Sequence, residues 1–341
     1  MKVGKRAASG FLACLLLTAA LSGCGPTGGT AEGGGEYQSV NLAMAVNGTD
    51  TQIDSLVANH FAELVLERSG GSVVVDVFPN DTLAGGNATK GIEYIAVGGS
   101  DLGAYATSVL ANLEPRMSVA TIPWSFTSYQ QAREIIDTTG GEYYASLLAD
   151  KGITYLGSFH NGFRQLTNSK RPVTKPEDLK GLKIRVPGSA VYMNTFDALG
   201  ANPTAMSWSE VFTAIQQGTI DGQENGCSIT KSAKMDEIQK YMTIWNYSYE
   251  NDLFVINAKI WEALPENTQE LIQTCATEAC DWGRDKLEAD EEALIQGFRD
   301  VGMQVDILDE EQLKPFQDQV ADVVAALKAE YGEEACAAFG L

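Results

Sequence analysis

Apolar positions along the chain alternate between two spacings, which predicts strands and helices in alternation. Apolar runs over residues 40–46 and 73–78 predict buried strands. The segment between them, residues 53–68, has apolar residues at helical spacing, and a further helix is predicted over residues 89–97. This order of elements is typical of an α/β protein.

A second region of the chain follows the same order. Its predicted strands and helices cover residues 182–186, 191–199, 202–204 and 209–217. In both regions a helix ends in a stretch that contains glycine and aspartate, at residues 98–102 and 218–222. This weak repeat predicts two similar α/β lobes.

The last third of the chain is dominated by predicted helices. A strand at residues 253–256 precedes a helical region of about thirty residues, 268–298, which is long enough to span two lobes. A strand at 301–308 and a helix at 313–331 complete the chain. We therefore predict an α/β clamshell of two lobes with a long helix that spans both.

The N-terminus has the pattern of an export signal. Positive residues near the start precede an apolar run over residues 11–21, which is about half the ~20 residues that a membrane span requires. The sequence LSGC at residues 21–24 resembles a bacterial lipobox. It predicts a signal peptide over residues 1–23 and lipidation of Cys24. The alternative is a plain signal peptide followed by a cysteine that occurs there by chance.

Residues 24–36 are predicted to be the lipidated cysteine and a flexible tether, because the segment is rich in glycine and has no apolar periodicity. No later stretch reaches the length of a transmembrane helix. The sequence therefore predicts an extracytoplasmic protein that a lipid anchors to the bacterial cell membrane.

Charge and composition exclude several functions. The 341 residues have a net charge of −21, which becomes −24 once Lys2, Lys5 and Arg6 are removed with the signal. Such a chain repels nucleic acid, so no nucleic-acid partner is expected. His60 and His160 are the two histidines, which leaves little scope for histidine-based catalysis or a histidine-rich metal site.

Four cysteines follow the lipobox: Cys227, Cys275, Cys280 and Cys336. Cys275 and Cys280 lie about 140° apart around a predicted helix and should not pair with each other. Four buried thiols are favoured, and a bridge that involves Cys227 or Cys336 is the alternative.

Motifs of enzymes, nucleotide loops and metal clusters are absent from the sequence. We therefore expect no catalytic residues, no metal site and no cofactor. An exported two-lobe α/β protein of this kind is a candidate clamshell binder, because ligands of α/β folds lie at strand ends and the cleft between lobes collects such ends from both sides.

A specific resemblance lies in the second region. The sequence reads KPEDLKGLKIRVPGS at residues 175–189, LGANPTAM at 199–206, SEVFTAIQQG at 209–218 and IDGQEN at 220–225. Shorter supporting segments are FAEL at 61–64, VFPN at 77–80 and WEALP at 261–265. The chain resembles the DctP-type solute-binding subunits of TRAP transporters over roughly residues 38 to 335.

The resemblance implies a periplasmic-binding-protein-like fold of type II that captures an organic acid, usually a carboxylate, and closes around it. The loaded protein would dock on a small and a large membrane subunit for uptake driven by an ion gradient. With it we place lobe I at residues 37–161 plus 250–289 and lobe II at 162–249 plus 290–341. The alternatives are a ligand-dependent partner of a membrane receptor and an extracytoplasmic enzyme on the same scaffold.

Two arginines match ligand-binding arginines of this family. Arg185 ends a predicted strand, and a guanidinium matches a carboxylate with two parallel hydrogen bonds. The resemblance implies that Arg185 makes this salt bridge, whereas the alternative is a surface arginine paired to one of 45 acidic residues. Arg164 matches a second arginine that helps to hold the ligand.

Four further residues are candidates through the resemblance. The amide of Asn225 can donate to and accept from ligand oxygens. Trp208 matches a position where the family often places an aromatic ring against the ligand, and a core tryptophan is the alternative. Asn47 matches a contact region of the first lobe, and Trp124 is a candidate for the cleft lining.

One stretch departs from the family pattern. Many relatives have an acidic segment after the Phe-Pro-Asn sequence, whereas this chain has LAGGNATK at residues 83–90. An acidic first-lobe contact from this stretch is therefore not expected, and neither a C4-dicarboxylate nor sialic acid can be assumed as the ligand.

Overall fold

A mixed sheet of five strands forms the scaffold of one lobe. The structure is a computed structural model that describes residues 36–341. The strands are β1 (Val40–Val46), β2 (Val73–Phe78), β3 (Leu102–Ala106), β4 (Ile153–Phe163) and β10 (Tyr249–Asn257). They are ordered β2–β1–β3–β10–β4, and β10 is antiparallel to both of its neighbours.

A second sheet of six strands forms the other lobe. Its strands are β5 (Gln165–Asn168), β6 (Lys183–Val186), β7 (Asn202–Ala205), β8 (Gly222–Asn225), β9 (Tyr241–Ile244) and β11 (Gln304–Ile307). They are ordered β11–β9–β5–β8–β6–β7. Strands β6 and β8 are parallel, and Arg185 is paired with Gln223. The carboxyl ends of these two strands therefore meet at one edge of the sheet.

Eleven α-helices cover the sheets in the described part of the chain. They are α1 (Ile53–Arg68), α2 (Ala88–Val97), α3 (Thr107–Leu110), α4 (Tyr129–Ile135), α5 (Gly141–Ala149), α6 (Ala190–Ala198), α7 (Trp208–Gln216), α8 (Cys227–Ser232), α9 (Ala258–Ala263), α10 (Glu266–Asp300) and α11 (Glu310–Ala338). Side-chain caps fix several helix starts: Asn87 accepts a hydrogen bond from the Lys90 amide, and Asp309 forms a capping box with Gln312.

Helix α10 connects the two lobes, as the sequence predicts. Its 35 residues extend about 50 Å at the usual rise per residue. Its first half packs Leu271 and Ile272 into the core of the first lobe, whereas Phe298 near its end packs with Met242 and Met303 of the second lobe. This single helix therefore has hydrophobic contacts in both lobes.

The chain also crosses between the sheets at two points that lie side by side. Arg164 is the single residue between β4 and β5, and residues 245–248 connect β9 to β10. The Arg164 amide donates to the Ser248 carbonyl over 2.8 Å. The rings of Trp245 and Tyr247 are buried here with centroids 4.8 Å apart, so these crossings are packed rather than exposed linkers.

The predicted fold class is confirmed, and the strands at 40–46 and 73–78 and the helix at 53–68 have the predicted bounds. Strand β4 and the helices between residues 129 and 149 were not predicted. The lobe boundaries stay a prediction. The signal peptide, Cys24 and residues 25–35 of the tether lie outside the described residues.

Two further observations concern residues 36–341. The four cysteines there are buried and free, which agrees with the favoured prediction of buried thiols. In this part of the chain, no helix combines the length and the apolar composition needed to cross a bilayer.

Candidate functional site

The space between the two lobes contains a cleft with free volume of about 400 Å³, solvent at its mouth included. Five of the six side chains that the sequence proposes for ligand binding line it: Asn47, Arg164, Arg185, Trp208 and Asn225. A second cavity adjoins the first and shares Asn47, Arg185 and Trp208 with it. At the mouth, the Ser209 hydroxyl of the second lobe donates to the Gly86 carbonyl of the first lobe over 3.2 Å.

Arg185 is buried in this cleft without a carboxylate partner. Its side chain is 5% exposed, and its Nε and Nη2 atoms donate to the Met206 carbonyl over 3.0 and 2.8 Å. Among residues 36–341, no acidic side chain forms a salt bridge with Arg185, and Nη1 has no acceptor. Burial lowers the pKa of Arg185 to about 10, because the charges of Glu224 and Glu250, which pair directly with Arg164, offset only part of the effect of burial.

Trp208 lies beside this arginine. The guanidinium carbon of Arg185 is 5.3 Å from the centre of the Trp208 ring, within the range of a cation–π interaction. Trp208 begins α7 and is half-buried, so one part of its ring faces the cleft. The structure thus places Trp208 where it can contact both Arg185 and a bound molecule.

Arg164 is buried to a similar degree but pairs directly with two acidic side chains. Its Nε donates to Glu224 Oε2 over 2.5 Å, its Nη1 donates to Glu250 Oε2, and its Nη2 donates to Glu224 Oε1 over 2.8 Å. Burial alone would lower the pKa of Arg164, but the charges of Glu224 and Glu250 hold it well above its usual range.

The ion pairs of Arg164 join the two lobes at the crossing. Glu224 belongs to β8 of the second sheet, and Glu250 belongs to β10 of the first sheet. Both carboxylates have further donors: Tyr247 donates to Glu224 over 2.5 Å and the Ser108 amide donates to Glu250 over 3.0 Å. The network therefore fixes the base of the cleft.

The remaining predicted residues occupy different places. Asn225 is buried at the end of β8, and its Oδ1 accepts from the Gly226 amide over 3.1 Å, which leaves its Nδ2 available. Asn47 follows β1 and donates from Nδ2 to Asp81 over 2.7 Å. The structure does not bring Trp124 to the cleft, because its ring packs edge-on against Trp245 and Tyr247 at the crossing.

The first-lobe wall of the cleft is polar and acidic, which the sequence reasoning missed. Gln52, Asp54, Asn161 and Asp252 line this wall and are all buried. We call these four side chains the acidic wall. They come from the start of α1 and from β4 and β10, not from residues 83–90. A signal was present, because β10 is a wholly buried strand that begins with several polar residues.

The two carboxyl groups of the acidic wall are held in an unfavourable setting for charge. Burial, with a smaller contribution from Asp81, raises the pKa of Asp54 to about 7. Burial and the neighbouring charge of Asp54 raise the pKa of Asp252 well above its usual range.

No group of three or more His, Cys, Asp or Glu within residues 36–341 is arranged to hold a metal ion.

Two α/β lobes joined by packed crossings and a shared helix, with an unpaired arginine in the cleft between them, define a two-lobe solute-binding protein. Residues 43–330 match the family described as bacterial extracellular solute-binding protein, family 7, DctP. The chain belongs to this family, whose members act outside the cytoplasm and are binding proteins rather than enzymes.

Three similar proteins illustrate the match. The 2,3-diketo-L-gulonate-binding periplasmic protein YiaO of Escherichia coli is 32% identical over 287 residues, which cover 84% of this chain and 86% of YiaO. A TRAP periplasmic solute-binding protein from Ralstonia eutropha, solved with (S)-2-acetolactate, has a TM-score of 0.85 and 28% identity, covering 88% of this chain and 98% of that one. The sugar-acid-binding protein DctPAm from Advenella mimigardefordensis, solved with galactonate, has a TM-score of 0.85 and 28% identity. The match covers 89% of this chain and 97% of DctPAm.

Proposed function

We propose that this protein binds a small organic acid in the cleft and delivers it to the small and large membrane subunits of a TRAP transporter. The observation that carries the proposal is Arg185, a buried guanidinium in the cleft without an acidic partner. A ligand carboxylate would give Arg185 a direct ionic partner and accept from its free N–H groups. Similar proteins solved with acetolactate and galactonate support an acid as the ligand.

The other predicted residues would complete the binding site. Asn225 would donate to a ligand oxygen, Trp208 would cover one face of the ligand, and Asn47 would approach from the first lobe. The Nη2 of Arg164 also donates to the Glu224 backbone carbonyl over 2.8 Å, so one Nη1 N–H remains and Arg164 would contribute at most one hydrogen bond to the ligand. The bond from Ser209 to Gly86 supports closure of the two lobes around the ligand.

We also propose that Cys24 carries a lipid that anchors the protein to the cell membrane, and that the protein releases its ligand chemically unchanged. Metabolic labelling with a radioactive fatty acid tests the anchor, and Cys24→Ser should abolish the label. Mass spectrometry of the ligand after incubation tests the second proposal. A product of different mass would show turnover.

Thermal unfolding against a panel of organic acids tests the main proposal. A ligand at 100 times its Kd adds about 2.7 kcal/mol, which is a shift of several degrees in Tm. Arg185→Ala should weaken binding by roughly 30- to 3,000-fold, because a buried charge pair broken from one side costs about 2–5 kcal/mol.

Arg299→Ala is the matched control, since Arg299 is an exposed arginine on α10 outside the lining of the cleft. It should bind the acid as tightly as the unchanged protein. Equal binding by Arg185→Ala would contradict the proposed role of Arg185. A panel without any hit, on protein shown to be free of bound ligand, would contradict acid binding itself.

A further inference from the structure

The acidic wall lines the same cleft as Arg185 and is contributed by the first lobe. Its members are 5% exposed or less, so any ligand group that faces them is removed from water. A buried polar group without a hydrogen-bond partner is costly, and the wall should therefore match the hydrogen-bonding groups of the ligand.

Existing contacts fix the orientation of the two amides in the wall. Gln52 Oε1 accepts from the Thr49 amide over 2.8 Å, so its Nε2 remains as a buried donor without a partner. Asn161 Nδ2 donates to Asp252 Oδ1 over 2.9 Å, so its Oδ1 remains as a buried acceptor without a partner. The wall thus presents one free amide donor and one free amide acceptor beside two carboxyl groups.

Three kinds of ligand group can be compared against this wall. A carboxylate only accepts, so it could use Gln52 but would face the Asn161 oxygen and two acidic side chains. An ammonium only donates, so it would leave the Gln52 donor unpaired. Hydroxyl groups both donate and accept, and several of them would satisfy Gln52, Asn161 and the carboxyl groups together.

The charges of the residues that line the cleft also favour a ligand with one carboxylate and with hydroxyl groups at the acidic wall. Arg164 is in direct contact with the carboxylates of Glu224 and Glu250, which leaves Arg185 as the lining cation without a direct salt bridge and therefore available to a ligand. One carboxylate on the ligand would compensate Arg185. Above about pH 7, where Asp54 loses its proton, a second carboxylate directed at the acidic wall would meet a like charge in a buried setting, and such a juxtaposition costs several kcal/mol.

We infer that the ligand is a polyhydroxy monocarboxylate, bound with its carboxylate at Arg185 and its hydroxyl-bearing end at the acidic wall, and that this wall rejects dicarboxylates. The inference rests on the proposed function and adds to it the chemical class of the ligand. It assigns specificity to Gln52, Asp54, Asn161 and Asp252, which would act as ligand-contacting residues.

Matched pairs of sugar acids test the inference directly. Glycerate and tartronate, erythronate and meso-tartrate, and galactonate and galactarate differ within each pair only in whether the far carbon is a hydroxymethyl group or a carboxylate. Isothermal titration calorimetry would measure Kd for each acid at pH 8, above the value of about 7 to which burial raises the pKa of Asp54. In the pair whose length fits the cleft, the monocarboxylate should bind at least about 30-fold more tightly, since like charges in contact cost several kcal/mol.

Substitutions of the wall show whether these residues cause the preference. Asp54→Asn should narrow the ratio between the two members of the pair about tenfold or more, because it removes the like charge that Asp54 carries at pH 8 at nearly unchanged side-chain size. Asp252→Asn removes the other carboxyl group of the acidic wall, should narrow the ratio by less, and serves as a second variant should the first fail to fold. Asp76→Asn is the control, since Asp76 is exposed on β2, outside the cleft lining, and should leave the ratio unchanged.

The outcomes separate this inference from the proposed function. Equal or tighter binding of the dicarboxylate, or a preference for 4-aminobutanoate over 4-hydroxybutanoate, would overturn the inference while acid binding stands. A preference that Asp252→Asn and Asp54→Asn both leave unchanged would overturn the role of the wall. Absence of binding by every acid tested would overturn the proposed function and this inference with it.

Discussion

Arg164 and Arg185 are equally buried and line the same cleft, yet their surroundings differ. Arg164 lies between two sheets and is held by Glu224 and Glu250, whereas Arg185 has one backbone carbonyl and no acidic partner in the described chain. Their pKa values move in opposite directions, above the usual range for Arg164 and down to about 10 for Arg185. The type of residue alone therefore does not distinguish the two arginines; the charges around each of them do.

The largest expected effect comes from removing the paired arginine. Arg164→Met leaves two carboxylates buried without their cation, and a buried pair broken in this way costs about 3–5 kcal/mol. Urea unfolding should show this loss in the ligand-free protein. The same substitution at Arg185 is the matched comparison, and a loss below about 1 kcal/mol for Arg164→Met would mean that Arg164 does not hold the two sheets together.

The next largest effect on stability is expected from the carboxyl group of Asp54, which lines the same cleft as Arg185. Because the pKa of Asp54 is raised to about 7, the folded protein retains a proton that the unfolded chain releases above pH 4. Its contribution to the free energy of unfolding therefore falls as the pH rises from about 4 to 7. Between pH 5 and pH 8 this fall should amount to about 2–3 kcal/mol.

Asp54→Asn isolates the contribution of Asp54 to the free energy of unfolding. Such a variant is needed because other groups, among them the buried His160, change this free energy in the opposite direction as the pH rises. Burial lowers the pKa of His160 to about 2, so stability is lost on the acid side when the unfolded chain gains that proton. The difference in unfolding free energy between the variant and the unchanged protein should shift in favour of the variant as pH rises. A difference that is constant from pH 5 to pH 8 would show that the pKa of Asp54 is not raised.

The sequence predicts Arg185 as a candidate for ligand binding, but it does not show the features that distinguish Arg185 from Arg164. Helical spacing was sufficient to predict α1, and the pattern over residues 182–186 was sufficient to place Arg185 near the end of a strand, because both are local patterns. The binding role of Arg185 stays a prediction. The partners of Arg164 are distant in the chain: Glu224 lies 60 positions away and Glu250 lies 86 positions away. Pairing at such separations depends on the order of strands in the sheets, which a single sequence does not reveal.

The acidic wall escaped prediction for a related reason. Asp54 and Asp252 belong to the first turn of α1 and to β10, and each segment has an ordinary pattern for its element. Their proximity becomes visible only when the first sheet is assembled, as the charge of one raises the pKa of the other. Trp124 illustrates the converse, since an aromatic residue after an Ile-Pro pair was expected in the cleft but packs at the crossing.

A smaller effect is expected from the ring beside Arg185. A cation–π interaction with a desolvated guanidinium contributes about 1–2 kcal/mol, so Trp208→Ala should weaken acid binding roughly 5- to 30-fold. Trp208→Phe retains a weaker ring and should lose less. Calorimetry with the acid identified by the panel measures both, and equal binding by the three proteins would remove Trp208 from the site.

Arg185→Met is expected to give the smallest change in stability, opposite in sign to the loss expected for Arg164→Met. Arg185→Met removes a buried cation, which favours folding, because the lowered pKa of Arg185 shows that folding disfavours its charge. The substitution also leaves the Met206 carbonyl without its two donors, which disfavours folding. These effects oppose each other, and the ligand-free protein should be unchanged or more stable by up to about 2 kcal/mol, as is common where function requires an unfavourable group. Urea unfolding without ligand measures this. A loss of 3 kcal/mol or more, comparable to the loss expected for Arg164→Met, would show that both arginines stabilise the fold and that the contrast between them does not identify the binding residue.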